Sequence, residues 1–359
     1  MRPGAALLLF NIEYDEGRVI EGYLVPDGFS EQSRILVSDG AEALAEIDCG
    51  EQREAVRVSG RHSTGRVGFR LDESNVPRLA EKAELTIHDA ASGLLIYRRG
   101  LRQWARKRIV RLELQLVPLL ALDNSLENHF RFALTRTERF GLETTLQAFH
   151  LNNADSIYLS GRLQIRAFEQ FMERGFDVIA ILTEPYFEMA EKILFLRRFA
   201  TFPEPMFGAR DRMILAPFAE HFAGTDLTSV KSLRAALKSM DPVSARIVRA
   251  PLTRQLTTTA PDDEPARGAV AAALDIISRF AITGLRAHPE TFTLPCAEFL
   301  GIDANSINKP GEHHRIAELA ALLREIPEVE TLLETDLVIY HFASQAITTN
   351  MLQPQPVHS

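Results

Sequence analysis

Over roughly the first hundred residues, apolar and polar positions alternate in short runs. LLLFNIEY, RVIEGYLV, SRILVSD, ALAEID, EAVRVSG, GRVGFRL, AELTIHD and GLLIYRR are set apart by Gly, Asp, Asn and Pro. In Arg66-Val67-Gly68-Phe69-Arg70-Leu71 the apolar side chains fall on every second residue, the period of a strand with one buried face. About eight such strands in so short a stretch predict an antiparallel β-sandwich over 1–98.

From about Glu127 the period changes. FDVIAIL is a continuous apolar run of the kind buried in a parallel sheet, and it leads into the helical pattern PYFEMAEKILFLRRFA. LKSMDPVSARIVRAPL, GAVAAALDIISRF, HRIAELAALLREI and VETLLETDLVIYHFASQAI also carry a helical period. Strands feeding helices predict an α/β domain over 126–350, a parallel sheet with flanking helices, followed by a flexible tail at 351–359. TTTAPDDEPARG, Thr257 to Gly268, reads as a loop.

Between the two blocks lies RRGLRQWARKRIVR. It holds Arg98, Arg99, Arg102, Arg106, Lys107, Arg108 and Arg111, no acid, and the single tryptophan, Trp104. Over 99–125 this reads as a basic linker, helix or strand. Helical spacing would put Arg98, Arg102 and Arg106 on one side and turn Arg108 away by about 200°. Such a stripe suits an anionic glycan, a lipid surface in peripheral contact, or acids of the same chain.

Composition narrows the classes. The chain has 359 residues, 46% hydrophobic and 25% charged, as in ordinary globular proteins. A net charge of −8 argues against a general nucleic-acid binder. The two cysteines, Cys49 and Cys296, form neither a disulfide framework nor a metal-ligand spacing. AALLLF, VIAIL and LVPLLAL fall well short of the roughly 20 apolar residues that span a bilayer, so a cytoplasmic protein is expected. His313 and His314 lack a third ligand, so no metal site is expected.

Five stretches, in order over about 220 residues, carry a likeness to a known family. They are HFRFALTRTERFGLETTLQAF, YLSGRLQ, DVIAILTEPYFEMAEKILFLRRF, LDIISRFAITGLRAHPETFTLPCAEFLGI and ETLLETDLVIYHFA. Together they resemble the P-loop sulfotransferases of the bacterial and Golgi carbohydrate type. The N-terminal IEGYLVPDG and GRHSTGRVGFRL resemble the sandwich modules attached to bacterial glycosyltransferases and surface-polysaccharide proteins.

The resemblance implies a site for 3′-phosphoadenosine 5′-phosphosulfate, with a loop reading Lys-Thr-Gly-Gly-Thr-Ser, but the residues here depart from it. Arg136 replaces the lysine, Thr137 is retained, Glu138 and Arg139 replace the glycines, and Phe140 and Gly141 replace the hydroxyl pair. Glycines in such a loop let the main chain approach the phosphate. Glu138 would place a carboxylate beside the phosphosulfate, a repulsion of about 1–4 kcal/mol at 4 Å. The positions that bind the 3′-phosphate are Thr183 and Glu191, and a possible histidine base is replaced by Arg162. The alternative for the loop is a capped surface helix, with Thr137 as N-cap, Phe140 in the core and Arg136 and Arg139 exposed. Arg210, Asp211 and Arg212 read as a solvated turn or as the lining of an acceptor cleft.

The resulting expectation is a non-catalytic or strongly diverged sulfotransferase-like protein, without the cofactor, that acts with glycans or polysaccharide-assembly proteins in bacterial surface-polysaccharide assembly. The alternative is an active carbohydrate sulfotransferase with a rebuilt donor site.

Overall fold

The computed structural model describes residues 8–100, 103–151, 155–198, 209–311 and 313–352. The chain divides into two compact units, Met1–Arg108 with Leu126–Leu159, and Ile109–Ser125 with Ser160–Ser359. The segment after Leu126 therefore groups with the sandwich region. The expected division at 98, with a linker over 99–125, does not coincide with this one.

The first unit contains two antiparallel sheets. One runs β1-β2-β6-β5, from β1 (Leu9–Asp15), β2 (Ile20–Val25), β6 (Arg66–Leu71) and β5 (Glu51–Gln52). The other runs β4-β3-β7-β8, from β4 (Glu42–Asp48), β3 (Arg34–Asp39), β7 (Leu85–Asp89) and β8 (Leu95–Arg99). Phe10, Ile20, Leu24, Ile35, Val37, Val67, Phe69, Leu71, Leu85 and Ile87 are buried, and each such side chain contributes about 1.5–3 kcal/mol. EAVRVSG is not a strand. Helix α1 (Glu54–Val58) forms there instead, and Glu54 pairs with Arg57 one turn along. Only Val56 in it is buried, so the alternating apolar residues had no second sheet face to serve.

Asp15 in β1 joins the two sheets at their edges. Its carboxylate accepts from Arg99 Nη2 at 2.5 Å, from Arg99 Nε at 2.8 Å and from Tyr97 Oη at 2.7 Å, both partners lying in β8. Burial pushes the Asp15 carboxyl up, but hydrogen bonds from Arg99, the Gly17 N–H and Tyr97 outweigh it and hold the group below its ordinary value. A depressed folded-state pKa stabilises the fold above the unfolded value and is lost as pH falls through the folded one. Asp15→Asn is accordingly expected to lower stability by about 1–3 kcal/mol at pH 7. The difference should shrink as the pH is lowered from 7 through the folded-state pKa of Asp15, as read from urea midpoints along a pH series.

A strand–turn–helix follows in the same unit. It consists of β10 (Phe132–Leu134), a 3-10 turn at Thr137–Arg139 and α3 (Leu142–Phe149). It is fastened to β1: the Leu8 N–H donates to Thr144 Oγ1 at 2.9 Å, Gln147 Nε2 donates to the Phe10 carbonyl at 3.3 Å, and Phe10 stacks on Phe132. Strand β11 (Ile157–Gly161) pairs parallel to β10.

In the second unit, β9 (Arg108–Leu112), β12 (Asp177–Leu182) and β13 (Ile282–Leu285) pair in parallel, with Asp177 beside Ile109 and Ile179 beside Ile282. Around them are α2 (Leu120–Leu126), α4 (Glu169–Met172), α5 (Pro185–Leu196), α6 (Ala209–Ala223) and α7 (Val230–Lys238). The remaining helices are α8 (Pro242–Val248), α9 (Pro251–Thr257), α10 (Ala269–Ser278), α11 (Glu290–Leu300), α12 (His314–Arg324) and α13 (Pro327–Leu352). Phe187, Ile193, Phe218, Phe222, Leu233, Leu323 and Val329 belong to one apolar cluster. The loop after α9 is an ordered turn: Asp263 accepts from Thr259 and the Ala260 N–H, and Glu264 pairs with Arg246.

The order of the parallel sheet is β10-β11-β9-β12-β13, with helices flanking it in a mixed α/β chain. Among the described residues no helix is long and apolar enough to cross a membrane. Of the expected tail, 353–359 lies outside the described residues.

Candidate anion-binding cleft

Helical spacing does not govern the basic segment. Arg98 and Arg99 end β8, Arg108 opens β9, and Arg102 lies outside the described residues. Arg99 is committed to Asp15. Arg111 is buried and chelated by Asp123, with Nε and Nη2 each 2.9 Å from its oxygens, while Nη2 also reaches Glu113 at 2.7 Å. Lys107 is half-buried, and its carbonyl accepts from the Ile157 N–H. Arg106 is exposed, 3.8 Å from Asp155. Arg98 ends a strand, so the stripe of Arg98, Arg102 and Arg106 is not laid out on a helix, and Arg99 and Arg111 of the same run serve as internal ion-pair partners. Trp104 packs on Arg98, whose guanidinium carbon lies 5.8 Å from the ring centre, and comes so close to Gly100 that any side chain there would collide with it.

One arginine of the run takes part in a cleft. Arg98 from β8, His88 from β7 and the backbone turn at Gly93 form one side, and Thr135, Arg136, Arg139 and Phe140 from the strand–turn–helix form the other. The cavity is about 210 Å³, and among the described residues Glu127 is the one carboxylate in its lining. Arg98 is oriented by donating to the carbonyls of Glu127 and Phe130 at 3.2 and 3.0 Å. The Arg139 guanidinium lies over the Phe140 ring, 5.7 Å from its centre. Neither Arg136 nor Arg139 has a carboxylate within ion-pair distance among the described residues. Burial first, then the charge of Arg136, pulls the Arg139 guanidinium below its ordinary pKa. Burial, then Arg98, does the same to His88, which leaves its imidazole neutral at pH 7.

The expected phosphate loop differs from this cleft in three ways. Its amides are already used, because the Arg139 and Phe140 N–H groups donate to the carbonyls of Arg136 and Thr137 at 3.0 Å. Gly141 is extended (φ −64°) and is the residue preceding α3, while Thr137 is buried inside the 3-10 turn; neither lines the cleft. Thr137 is thus not the helix cap, and Phe140 is a half-buried cleft residue. Glu138 is not among the lining residues, but its charge acts on Arg139, which is. Any anion here would be held by side chains. Arg136 itself sits in the left-handed region at φ 55°, which an L-residue enters at a cost of about 1–2 kcal/mol.

Thr183 and Glu191 belong to the second unit and are occupied. Thr183 donates to Gln115 Oε1 at 3.3 Å, and Glu191 forms a two-point ion pair with Arg286 at 2.7 Å. Neither is placed to receive a 3′-phosphate, so these residues do not fit the cofactor in the family's mode. In the strand order, β9 and not β10 is central. In open parallel sheets ligands bind beyond the carboxyl ends of the strands, and β9 and β12 pair side by side in the second unit. There the sequence reads Glu113-Leu114-Gln115-Leu116-Val117-Pro118, without a glycine. Glu113 fills the position: Gln115 Nε2 and the Leu119 N–H donate to its carboxylate at 2.5 and 2.9 Å. Burial, against the pull of Arg111, raises its pKa.

Thr183, Glu188 and Asp336 line a small space of about 10 Å³, about one water sphere. Glu188 pairs with Lys192 at 3.1 Å, and Asp336 of α13 accepts from the N–H groups of Leu252 and Thr253 at the start of α9. Burial lifts Asp336 to about 6.

Arg162 pairs with Asp211, which lies in α6 and not in a turn, while the Arg210 side chain lies outside the described residues. His313 precedes α12 and accepts from the Arg315 N–H, with the His314 ring stacked on it. Among the described residues no group of His, Cys, Asp and Glu could hold a metal ion. Cys49 and Cys296 are buried, and burial pushes their thiols up to about 11 and about 12, so neither is a nucleophile at neutral pH.

The residue missed by sequence reasoning is His88. Its strand was legible in AELTIHD, but only the hairpin of β7 and β8 brings it beside Arg98. No protein-family model, curated protein or solved structure matches the chain.

Proposed function

We propose that this chain is a non-catalytic anion-binding protein, which holds a phosphorylated or sulfated group of a small molecule or glycan in the cleft of its first unit. The observation that carries the reading is the convergence of Arg98, Arg136 and Arg139 on one cavity, with Glu127 the only acid among its described lining residues. Planar guanidinium groups match phosphate and sulfate oxygens two at a time, and partial burial strengthens each contact. A transfer reaction needs a nucleophile or base near the anion, and the lining offers only a neutral His88 in a cationic setting. The likeness to carbohydrate sulfotransferases and polysaccharide-associated sandwich modules supports a role in bacterial surface-glycan assembly. An active sulfotransferase with a rebuilt donor site is the less favoured reading, since Thr183 and Glu191 are engaged elsewhere.

Calorimetric titration of the full chain with inorganic phosphate and with sulfate tests the reading. Arg136→Gly is the informative variant, because glycine adopts the left-handed backbone without strain. It should match or exceed the parent in urea stability and bind about tenfold more weakly. Unchanged affinity in the variant, or no binding by the parent at low salt, would overturn the proposal.

A further inference from the structure

One side chain of the cleft changes its charge near neutral pH, and it is not tied to any other group. His88 is half-buried in β7, opposite Leu36 of β3 and Leu95 of β8, and it lines the cavity beside Arg98. Among the described residues neither of its ring nitrogens makes a hydrogen bond. Burial first, and then the charge of Arg98, holds the imidazole neutral.

An anion held by the cleft arginines reverses the second of these causes. It offsets the charge of Arg98, and an opposite charge within about 4–6 Å favours the protonated ring. Both nitrogens then donate, and the anion's oxygens accept. Other charges also surround His88. Two residues along β3 from Leu36, Arg34 is held by Glu46 and Asp48 of β4; Glu84 lies just before β7; Glu127, Arg136 and Arg139 stand across the cleft. These are present in the empty and the filled cleft alike, so the bound anion is what differs between the two states. We infer that the cleft takes up a proton on His88 together with its anion, and so captures the anion more tightly as the surroundings become acidic. This rests on the anion-binding reading above and adds His88 to the residues that touch the ligand. Affinity rises as pH falls through the value at which the filled site protonates, and levels off once the imidazole is charged in both states.

Inorganic sulfate is the probe, because it keeps its full charge from about pH 8 to about pH 5.5, so any proton exchanged belongs to the protein. Calorimetry of the full chain at low salt, in buffers of different ionisation enthalpy, reads that proton directly. The parent should take up a large fraction of one proton near pH 6.5 and bind about tenfold more tightly at the acid end of the range, the equivalent of one unit in the pKa of the ring. In His88→Gln both the uptake and the rise in affinity should disappear. The NMR signal of the His88 ring in the parent, which needs no variant to fold, should titrate about one unit higher with saturating sulfate. Sulfate that binds without proton uptake and leaves this signal unmoved would overturn the coupling and leave the anion-binding cleft standing. Uptake that persists undiminished in His88→Gln would overturn it as well. No binding by the parent at any pH of the series would overturn both.

Discussion

Replacing Arg111 with methionine is expected to destabilise the second unit by about 3–5 kcal/mol. The guanidinium is 1% exposed, and Asp123 and Glu113, which it pairs with, are each 2% exposed. Methionine fills much of the volume but removes the Arg111 cation from two buried carboxylates. Removal of one partner of a buried ion pair is far more damaging than replacement of the whole group. The triple change Arg111→Met, Glu113→Gln, Asp123→Leu should therefore recover a large part of the loss. Urea denaturation of the two variants, with the midpoint compared at constant slope, reads the effect directly. A loss below about 1 kcal/mol in the single variant would mean that the network is dispensable. Since ordinary domains are stable by only about 5–15 kcal/mol, the predicted loss is a large share of the total.

The other large effect concerns ligand affinity. Arg136→Glu combined with Arg139→Glu turns two attractive charges into two repulsive ones. At about 4 Å each reversal changes the interaction by roughly 2–8 kcal/mol across the range from water to a protein surface, so binding of inorganic phosphate should fall by more than a hundredfold. The parent's affinity should drop as salt rises, because charges open to solvent are screened within about 8–10 Å at physiological ionic strength. The double variant should have no salt-dependent binding left to lose. Neither arginine has an ion-pair partner among the described residues, so the melting temperature should change little. Residual binding within threefold of the parent would place the anion elsewhere.

What could be read from the sequence was whatever a local period encodes. The strands of 1–98 were legible because side chains alternate between a buried and a solvent face, and FDVIAIL was legible because both of its faces are covered. EAVRVSG misled for the same reason: its alternation was real, but the segment pairs with no neighbouring strand. The basic run misled more seriously. Spacing of four residues between arginines fits a helix, yet the run contains the end of one strand and the start of another. The fate of its charges depends on Asp15, Asp123 and Glu113, none of which lies within the run, and Asp15 is far from it in sequence.

The cleft was half legible. The strand–turn–helix around Arg136 could be seen, as could Glu138 and Arg139 standing where a phosphate cradle has glycines. The acid at Glu138 drew attention to repulsion, whereas the cavity is bounded by its two arginine neighbours and by Arg98, contributed by a strand some forty positions earlier. Likewise Glu191 looked like a lost phosphate ligand, but its partner Arg286 follows β13, about 95 residues away.

The discontinuity of the first unit has a consequence for the order of biosynthesis. Its sheets are complete by Arg99, but the helix that receives the Leu8 N–H and covers Phe10 comes only with Leu142–Phe149. A ribosome adding about 5–20 residues per second must therefore extend the nascent chain for several seconds past the last strand of the two sheets before their opening strand gains its cover. In that interval the emerging segment Ile109–Ser125, which belongs to the other unit, carries Arg111, Glu113 and Asp123 with β12 still unmade. Chaperone engagement at this length, rather than after release of the full chain, is what such a layout favours. A fragment ending at 98 should be less soluble than one ending at 159.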